Sequence, residues 1–366
     1  MSKPVFILAW ALLFFQAGCS TAPRPVTAGK PLPANWDADL GPEHEVEPDI
    51  ALPVRPQPPP PKVIPKAPAP LTTAESGMVS LNRWAAQNGL QGLRTIPLTP
   101  TPAYAVITPQ GNLAVQVGRL AAYWDGLEVR LGFAPQQIGD QIFLDALDIR
   151  KVLEPLAGGL SVPTPANRLV VIDPGHGGGN TGTRSVVDGR WEKEFTLDWA
   201  KRLAPLLEHN GWRVLLTRTN DVEVPLPDRV AFAEGHRADL FISLHFNASG
   251  GGQEQAGLET YCLTPSGMPS SLTRGYDDDI RQAFPNNAFD AENLRYSVRL
   301  HRSLLLVAGI TDRGVRHARF LGVLRGQNRP AVLIEGGYLS NPAEARRVAD
   351  PAYRQLLAQA VAKALP

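Results

Sequence analysis

Cysteine is nearly absent: Cys19 and Cys262 are the only two in 366 residues, too few and too differently placed for a disulfide framework. A surplus of charge is missing too. Lys and Arg number 36 against 35 Asp and Glu, a formal net charge of +1, so no global field recruits nucleic acid or an anionic membrane surface. Nor is there an apolar run approaching the roughly 20 residues of a comfortable membrane span. Val5 to Phe15 is the nearest, and it is too short. Proline, by contrast, is plentiful: its 35 residues are nearly twice the usual share of about 5%. They crowd the first third of the chain.

Residues 1–19 have a basic start at Lys3, an apolar core and small residues before Cys19, the layout of a secretory signal. Ala17-Gly18-Cys19 resembles a bacterial lipoprotein cleavage box, which implies a lipid on Cys19, attachment to a membrane and a place in the cell envelope or periplasm. Gln16 departs from the usual Leu of that box, and ordinary cleavage to a soluble exported protein is the alternative. Ser20, where Asp often signals inner-membrane retention, leans toward the outer membrane. Residues 20–73, with VRPQPPPPKVIPKAPAP, carry almost no periodic apolar pattern and cannot offset their chain entropy by burial. They read as a disordered, extended tether with polyproline character, reaching about 3 Å per residue where stiff.

From residue 74 to 158 the texture is that of a small α+β domain. VSLNRWAAQNGL suggests a short strand and a helix stopped by Gly89, and YAVITPQGNLAVQVG two alternating runs around a turn at Pro109 to Asn112. Further turns stand at Asp125-Gly126 and Gly139-Asp140. Over residues 76–157 this order resembles the small module first named for the N-terminal domain of copper amine oxidases. With no paired carboxylates or histidines, the segment reads as a spacer or wall-binding unit. Trp84, Tyr104, Tyr123 and Trp124 read as core packing in preference to a sugar-stacking surface.

After a linker at 159–167, residues 168–366 alternate strand and helix, which predicts an α/β domain: a mostly parallel twisted sheet flanked by helices on both faces. LVVID, WRVLLTR, DLFISLHF, LETYCL and AVLIEGG are the strands; Phe195–His209, Asp228–His236 and Glu292–Ile310 are the helices, the first stopped by Gly211. His176, His245 and Glu335 then fall at carboxyl ends of strands, the edge where open α/β sheets build their sites. Glu192 stands at the mouth of the first helix. Two imidazoles, one carboxylate and an open fourth position make a common catalytic zinc site, and Glu335 remains as a carboxylate able to take a proton from water.

Each residue has a plainer reading. A lone histidine is usually structural, as His209, His236, His301 and His317 are read here, and Glu192 suits a helix N-terminus. An acidic residue after five apolar positions is harder to dismiss, because Glu335 would be desolvated without return unless paired or employed. Convergence on one edge weakens all the plain readings together. Ser243 is expected on the face opposite His245, which argues against a serine triad. Cys262 reads as a small apolar core residue.

VVIDPGHGG, WEKEFTLDWAKRLAPLL, DLFISLHFNAS, GLETYCL and RGVRHARFLGVLRGQNRPAVLIEGGYLSNPAE, in this order, resemble the zinc-dependent N-acetylmuramoyl-L-alanine amidases of bacterial cell-wall turnover, over about residues 168–364. The resemblance implies zinc bound by His176, Glu192 and His245, with Glu335 as the catalytic glutamate. It also implies hydrolysis of the amide between the lactyl group of N-acetylmuramic acid and L-alanine, on peptidoglycan glycan strands and their stem peptides. Tyr338 replaces a common Phe, a change expected to leave the chemistry untouched. Gly177 to Gly179 are expected to leave room for the glycan, and Arg229 and Asn247 to stand at the substrate edge. Some family members carry, in the segment corresponding to 264–291, a helix that occludes zinc until an envelope activator protein removes it. Asp277, Asp278 and Asp279 are the carboxylates such a plug would use, against the simpler reading of a solvated loop at the substrate edge. Two alternatives stay open: an inactive peptidoglycan-binding envelope protein, and a zinc peptidase acting within the stem peptide.

Overall fold

The computed structural model describes residues 77–366, apart from 163–164, 166, 251, 274 and 276–277. The leader, the proline-rich segment with Cys19, and Asp277 lie outside the described residues.

The first part contributes β1 (Met78–Ser80), α1 (Leu81–Gln87), β2 (Arg94–Ile96), β3 (Ala103–Thr108), β4 (Gly111–Gln116), β5 (Ala121–Trp124), β6 (Leu127–Arg130), β7 (Gln136–Ile138), β8 (Gln141–Asp145), α2 (Ala146–Asp148) and α3 (Glu154–Ala157). The second contributes β9 (Leu169–Pro174), α4 (Glu192–His209), β10 (Arg213–Leu216), α5 (Leu226–Gly235), β11 (Leu240–Asn247) and β12 (Leu258–Cys262). It continues with α6 (Asp290–Ala308), β13 (Asp312–His317), α7 (Gly322–Arg325), β14 (Ala331–Tyr338), α8 (Pro342–Ala349) and α9 (Pro351–Ala364). Helix α4 starts three residues before the predicted Phe195, because the Glu194 carboxylate accepts from the Trp191 backbone N–H at 2.9 Å and caps an earlier turn.

An eleven-stranded sheet runs in the order β10-β9-β11-β14-β12-β13-β6-β5-β4-β3-β2. Strands β10, β9, β11 and β14 are mutually parallel, as their apolar runs predict. One face packs Ile242, Leu244, Phe246, Val332 and Ile334 with Trp199, Leu203, Leu300 and Leu357 of α4, α6 and α9. The other packs Val171, Phe241 and Leu333 with Ala233 and Leu324 of α5 and α7. Burial on both sides is why these strands read as unbroken apolar runs.

The sheet is mixed. Strand β12 is antiparallel to β14, and β13 is parallel to β12, so the amino ends of both meet the carboxyl end of β14. Strand β13, DRGVRH, forms although it has no strand-like apolar pattern. Its Val315 pairs with Val129 of β6 and joins β2 to β6 to the same sheet, whereas β1, β8 and β7 form a separate three-stranded sheet. A shared core follows: Trp124, Leu127 and Val129 pack with Leu294 and Val298 of α6. Lys151 bridges Asp290 at 3.0 Å, and Arg295 Nε donates to the Pro155 carbonyl at 3.0 Å.

Trp84 and Trp124 are buried and Tyr104 is half-buried against that core, in line with the packing reading. Tyr123 is the exception, exposed on the outer face of β5. His301 is buried between Thr260 Oγ1 and Asp312 Oδ1, each at 2.9 Å, and buried His317 has its pKa lowered to about 4 by desolvation and Arg319. Both are structural. Burial pushes the Cys262 thiol up to about 12, as suits an inert core cysteine.

Candidate metal centre

Strand β9 hands the chain to a loop at its carboxyl end. Gly175 N donates to the Leu244 carbonyl at 3.0 Å, which stitches the loop to β11. His176 then adopts φ +62°, a left-handed conformation that costs a residue other than glycine on the order of 1–3 kcal/mol. Buried Arg229 holds it there, donating to the carbonyls of His176 at 2.9 Å and Pro174 at 3.0 Å. Arg218 does the same for Pro174 and Gly175, at 3.0 and 2.9 Å. Asp173 anchors Arg229 at 2.6 Å. Burial pushes the Asp173 carboxyl up, but Arg229, Thr217 and Ser243 outweigh it and hold the group below the usual carboxylate range.

The four residues singled out in the sequence converge. Glu192, fully buried at the start of α4, faces both imidazoles: Oε2 lies 3.1 Å from His176 Nε2, and Oε1 lies 3.0 Å from His245 Nδ1. Backbone N–H groups fix its carboxylate, Thr183 on Oε2 at 3.0 Å and Phe246 on Oε1 at 2.9 Å. The imidazole rings meet edge to face, centroids 4.9 Å apart. Glu335 is buried on β14 as the neighbour of His245 in register.

Electrostatics follow from these contacts. Burial works against Glu192's charge, but the two histidines outweigh it and hold the carboxyl far below its ordinary range. Burial likewise works against a charged His176, yet Glu192, Asn180 and Glu335 raise its pKa. For His245 desolvation wins, and its pKa falls.

The ligand atoms of His176, Glu192 and His245 all lie within 4.8 Å of one another. This group can hold a metal ion. Its two imidazoles and one carboxylate match a common zinc donor set, and the glycines around it are shaped to the ligands. A Cβ on Gly175 would stand 2.2 to 2.6 Å from three atoms of the His245 ring, and one on Gly182 would stand 2.6 Å from both Glu192 Oε2 and His176 Cδ2. Gly175 does not have a positive φ, so alanine meets only the steric obstacle. Gly175→Ala is therefore expected to displace His245 and weaken metal affinity by about 10- to 100-fold, read by competition with a chromogenic chelator. Wild-type affinity in that variant would show that the His245 position is not needed for the metal.

Several expectations need correction. Gly177 and Gly178 answer to neighbouring backbone and not to a glycan: a Cβ on Gly177 would meet the Val222 carbonyl at 2.1 Å, and one on Gly178 the Glu223 nitrogen at 2.6 Å, while Gly179 is exposed. Arg229 is buried under the loop and does not stand at the substrate edge, whereas Asn247 ends β11 at that edge, buried and donating to Glu259 at 2.9 Å. Ser243, two positions from His245 on a regular strand, shares its face, and is removed as a nucleophile by donating to Asp173 at 2.7 Å. The Tyr338 hydroxyl donates to Glu259 at 3.1 Å, so the exchange from Phe adds a contact.

The 264–291 segment leaves β12 and returns through Asn286, whose side chain donates to the Arg329 carbonyl at 2.8 Å, before the amino end of β14. Both of its ends thus lie at the edge opposite His176, His245 and Glu335. Asp278 pairs with buried Arg319, and Asp279 lies beside Arg281 at 3.6 Å. Neither joins the metal group.

Residues 170–366 match the family model described as N-acetylmuramoyl-L-alanine amidase, more than half of the chain. The chain belongs to that family. The amidase AmiA of Salmonella typhimurium is 32% identical over 223 residues, covering 55% of this chain and 76% of AmiA. AmiA of Escherichia coli is 30% identical over 217 residues, covering 54% of this chain and 74% of the relative. Among solved structures, an N-acetylmuramoyl-L-alanine amidase from Clostridium difficile shares 30% identity, covers 54% of this chain and 94% of its own, and superposes with a TM-score of 0.45. As a member of the amidase family, this protein is a hydrolase acting on peptidoglycan.

Proposed function

We propose that this amidase cleaves the bond between the lactyl carbonyl of N-acetylmuramic acid and the L-alanine nitrogen of the stem peptide, using zinc held by His176, Glu192 and His245. Zinc in such a site lowers the pKa of water to about 7 and polarises the scissile carbonyl. The chain's own residues supply the remainder. His176 Nδ1 lies 2.6 Å from Asn180 Oδ1, an acceptor that keeps the proton on Nδ1 and leaves the Nε2 lone pair for the ion. The Thr183 and Phe246 N–H groups keep the Glu192 carboxylate between the two imidazoles. Glu335 accepts the proton of the attacking water and returns it to the departing alanine nitrogen, base first and acid second.

One observation carries this reading: a buried His-Glu-His group with ligand atoms within 4.8 Å, beside a buried glutamate on the adjacent strand, in a chain of this family. Peptidoglycan lies outside the cytoplasm, which suits residues 1–19 as an export signal. A lipid on Cys19, the 20–73 tether and the 74–158 module would hold the site against the wall. Among the described residues no helix is long and apolar enough to cross a membrane.

Digestion of purified muropeptides with the full-length protein, with and without chelator, tests the reading by mass analysis. Free stem peptides beginning with L-alanine are expected, and chelator should abolish them. Cuts inside the stem would establish the peptidase alternative, and intact muropeptides with zinc present would establish the inactive one.

A further inference from the structure

A second buried carboxylate faces the catalytic one. Glu259 on β12 pairs in register with Glu335 on β14 and is equally shielded from solvent. Two guanidiniums converge on it: Arg313 Nε at 2.9 Å and Arg316 Nη2 at 3.5 Å from the same oxygen, Oε1. Arg313 meets Glu259 through Nε, which leaves the outer edge of its guanidinium to another acceptor, and Glu128 lies in electrostatic reach of both cations. Because β12 and β13 run against β14, Arg313 stands at the edge that carries His176, His245 and Glu335.

Arg313 is built to present its charge. Its stem passes over Gly257, where a Cβ would stand 2.7 Å from Arg313 Cγ, and Gly257 sits at φ +122°, which side-chain-bearing residues rarely adopt. Its guanidinium lies 5.2 Å from the centre of the Tyr338 ring, and the Tyr338 hydroxyl donates to Glu259. The side chain is thus held on three sides, yet 27% of it remains accessible, against 2% for Glu259. An arginine fixed in this way meets a carboxylate with little entropy left to lose.

We infer that Arg313 is a specificity-determining residue that recognises a carboxylate on the stem peptide next to the L-alanine. The inference rests on the amidase reading above, which puts that peptide at this edge. The carboxylate would accept from the part of the Arg313 guanidinium that Glu259 does not engage.

The test uses two muropeptides that differ only in whether the carboxylate of the second stem residue is free or amidated. Full-length wild type is expected to prefer the free acid by about 10- to 100-fold in kcat/KM, the range of a charge-assisted hydrogen bond. In Arg313→Gln the ratio should fall to within about threefold of unity, and Arg313→Lys should keep part of it, since lysine retains the charge without the planar fork. In the Glu335→Gln background, affinities measured by calorimetry should show the same preference. Equal wild-type rates on both substrates, or an undiminished preference in Arg313→Gln, would overturn the inference and leave the amidase reading standing. Cleavage of neither substrate by wild type overturns both. Because the preference is a ratio within each protein, an unstable variant does not mimic the expected result, and the wild-type ratio decides independently of any variant.

Discussion

Glu335→Gln is expected to lower kcat/KM on muropeptides by about a thousandfold while zinc content stays at the wild-type level. The factor is that of general acid and base catalysis, about 10² to 10⁴. Glutamine keeps the shape of the side chain and cannot take a proton. Glu335 is buried in register with His245, so it stands beside the metal group without belonging to the three residues whose ligand atoms cluster. Steady-state kinetics on a defined muropeptide, paired with metal analysis of the same preparation, checks both halves of the expectation. A rate within tenfold of wild type would remove Glu335 as the proton acceptor. Loss of zinc in this variant would instead make it a ligand.

His176, His245 and Glu335 were legible because each follows an apolar run at the same edge of the sheet, and Glu192 because it opens a helix that can face that edge. That signal needs only strand direction and length. Its limits are visible at β12 and β13. LETYCL announces a strand, but nothing in an apolar run states which way it points, and the reversal of β12 against β14 is what brings Glu259 and Arg313 to the catalytic edge. DRGVRH is mostly polar because β13 sends Arg313 and Arg316 to a buried carboxylate. A pattern search discards such a segment.

The two arginines beneath the His176 loop were hidden for a related reason. Arg218 follows a strand and Arg229 lies in a helix, and charged residues at such places are ordinarily solvated. Only the fold shows them buried, turned to the backbone carbonyls of the His176 loop. The glycines show the opposite failure. Their abundance suggested an open loop, whereas Gly175 and Gly182 answer to imidazole and carboxylate atoms, and Gly177 and Gly178 to a neighbouring backbone.

Glu192 should behave in the converse way to Glu335. Glu192→Gln is expected to lose at least a hundredfold in zinc affinity, to lose activity in proportion, and to destabilise the metal-free protein by about 3 kcal/mol, the lower end for breaking a buried ion pair. Its carboxylate accepts from two backbone N–H groups and faces two ring nitrogens. An amide offers one acceptor, so its NH₂ must point at a donor, at either Thr183 or Phe246, and a buried N–H is left without a partner. Zinc would then face two imidazoles with no compensating negative charge. Chemical denaturation of the chelated protein measures the stability change, and metal analysis measures the affinity change. Stoichiometric zinc in Glu192→Gln would show that the ion is not held by the cluster of His176, Glu192 and His245. Zinc lost with Glu192 and kept with Glu335, with activity lost in both, separates the residue that holds the metal from the residue that moves the proton.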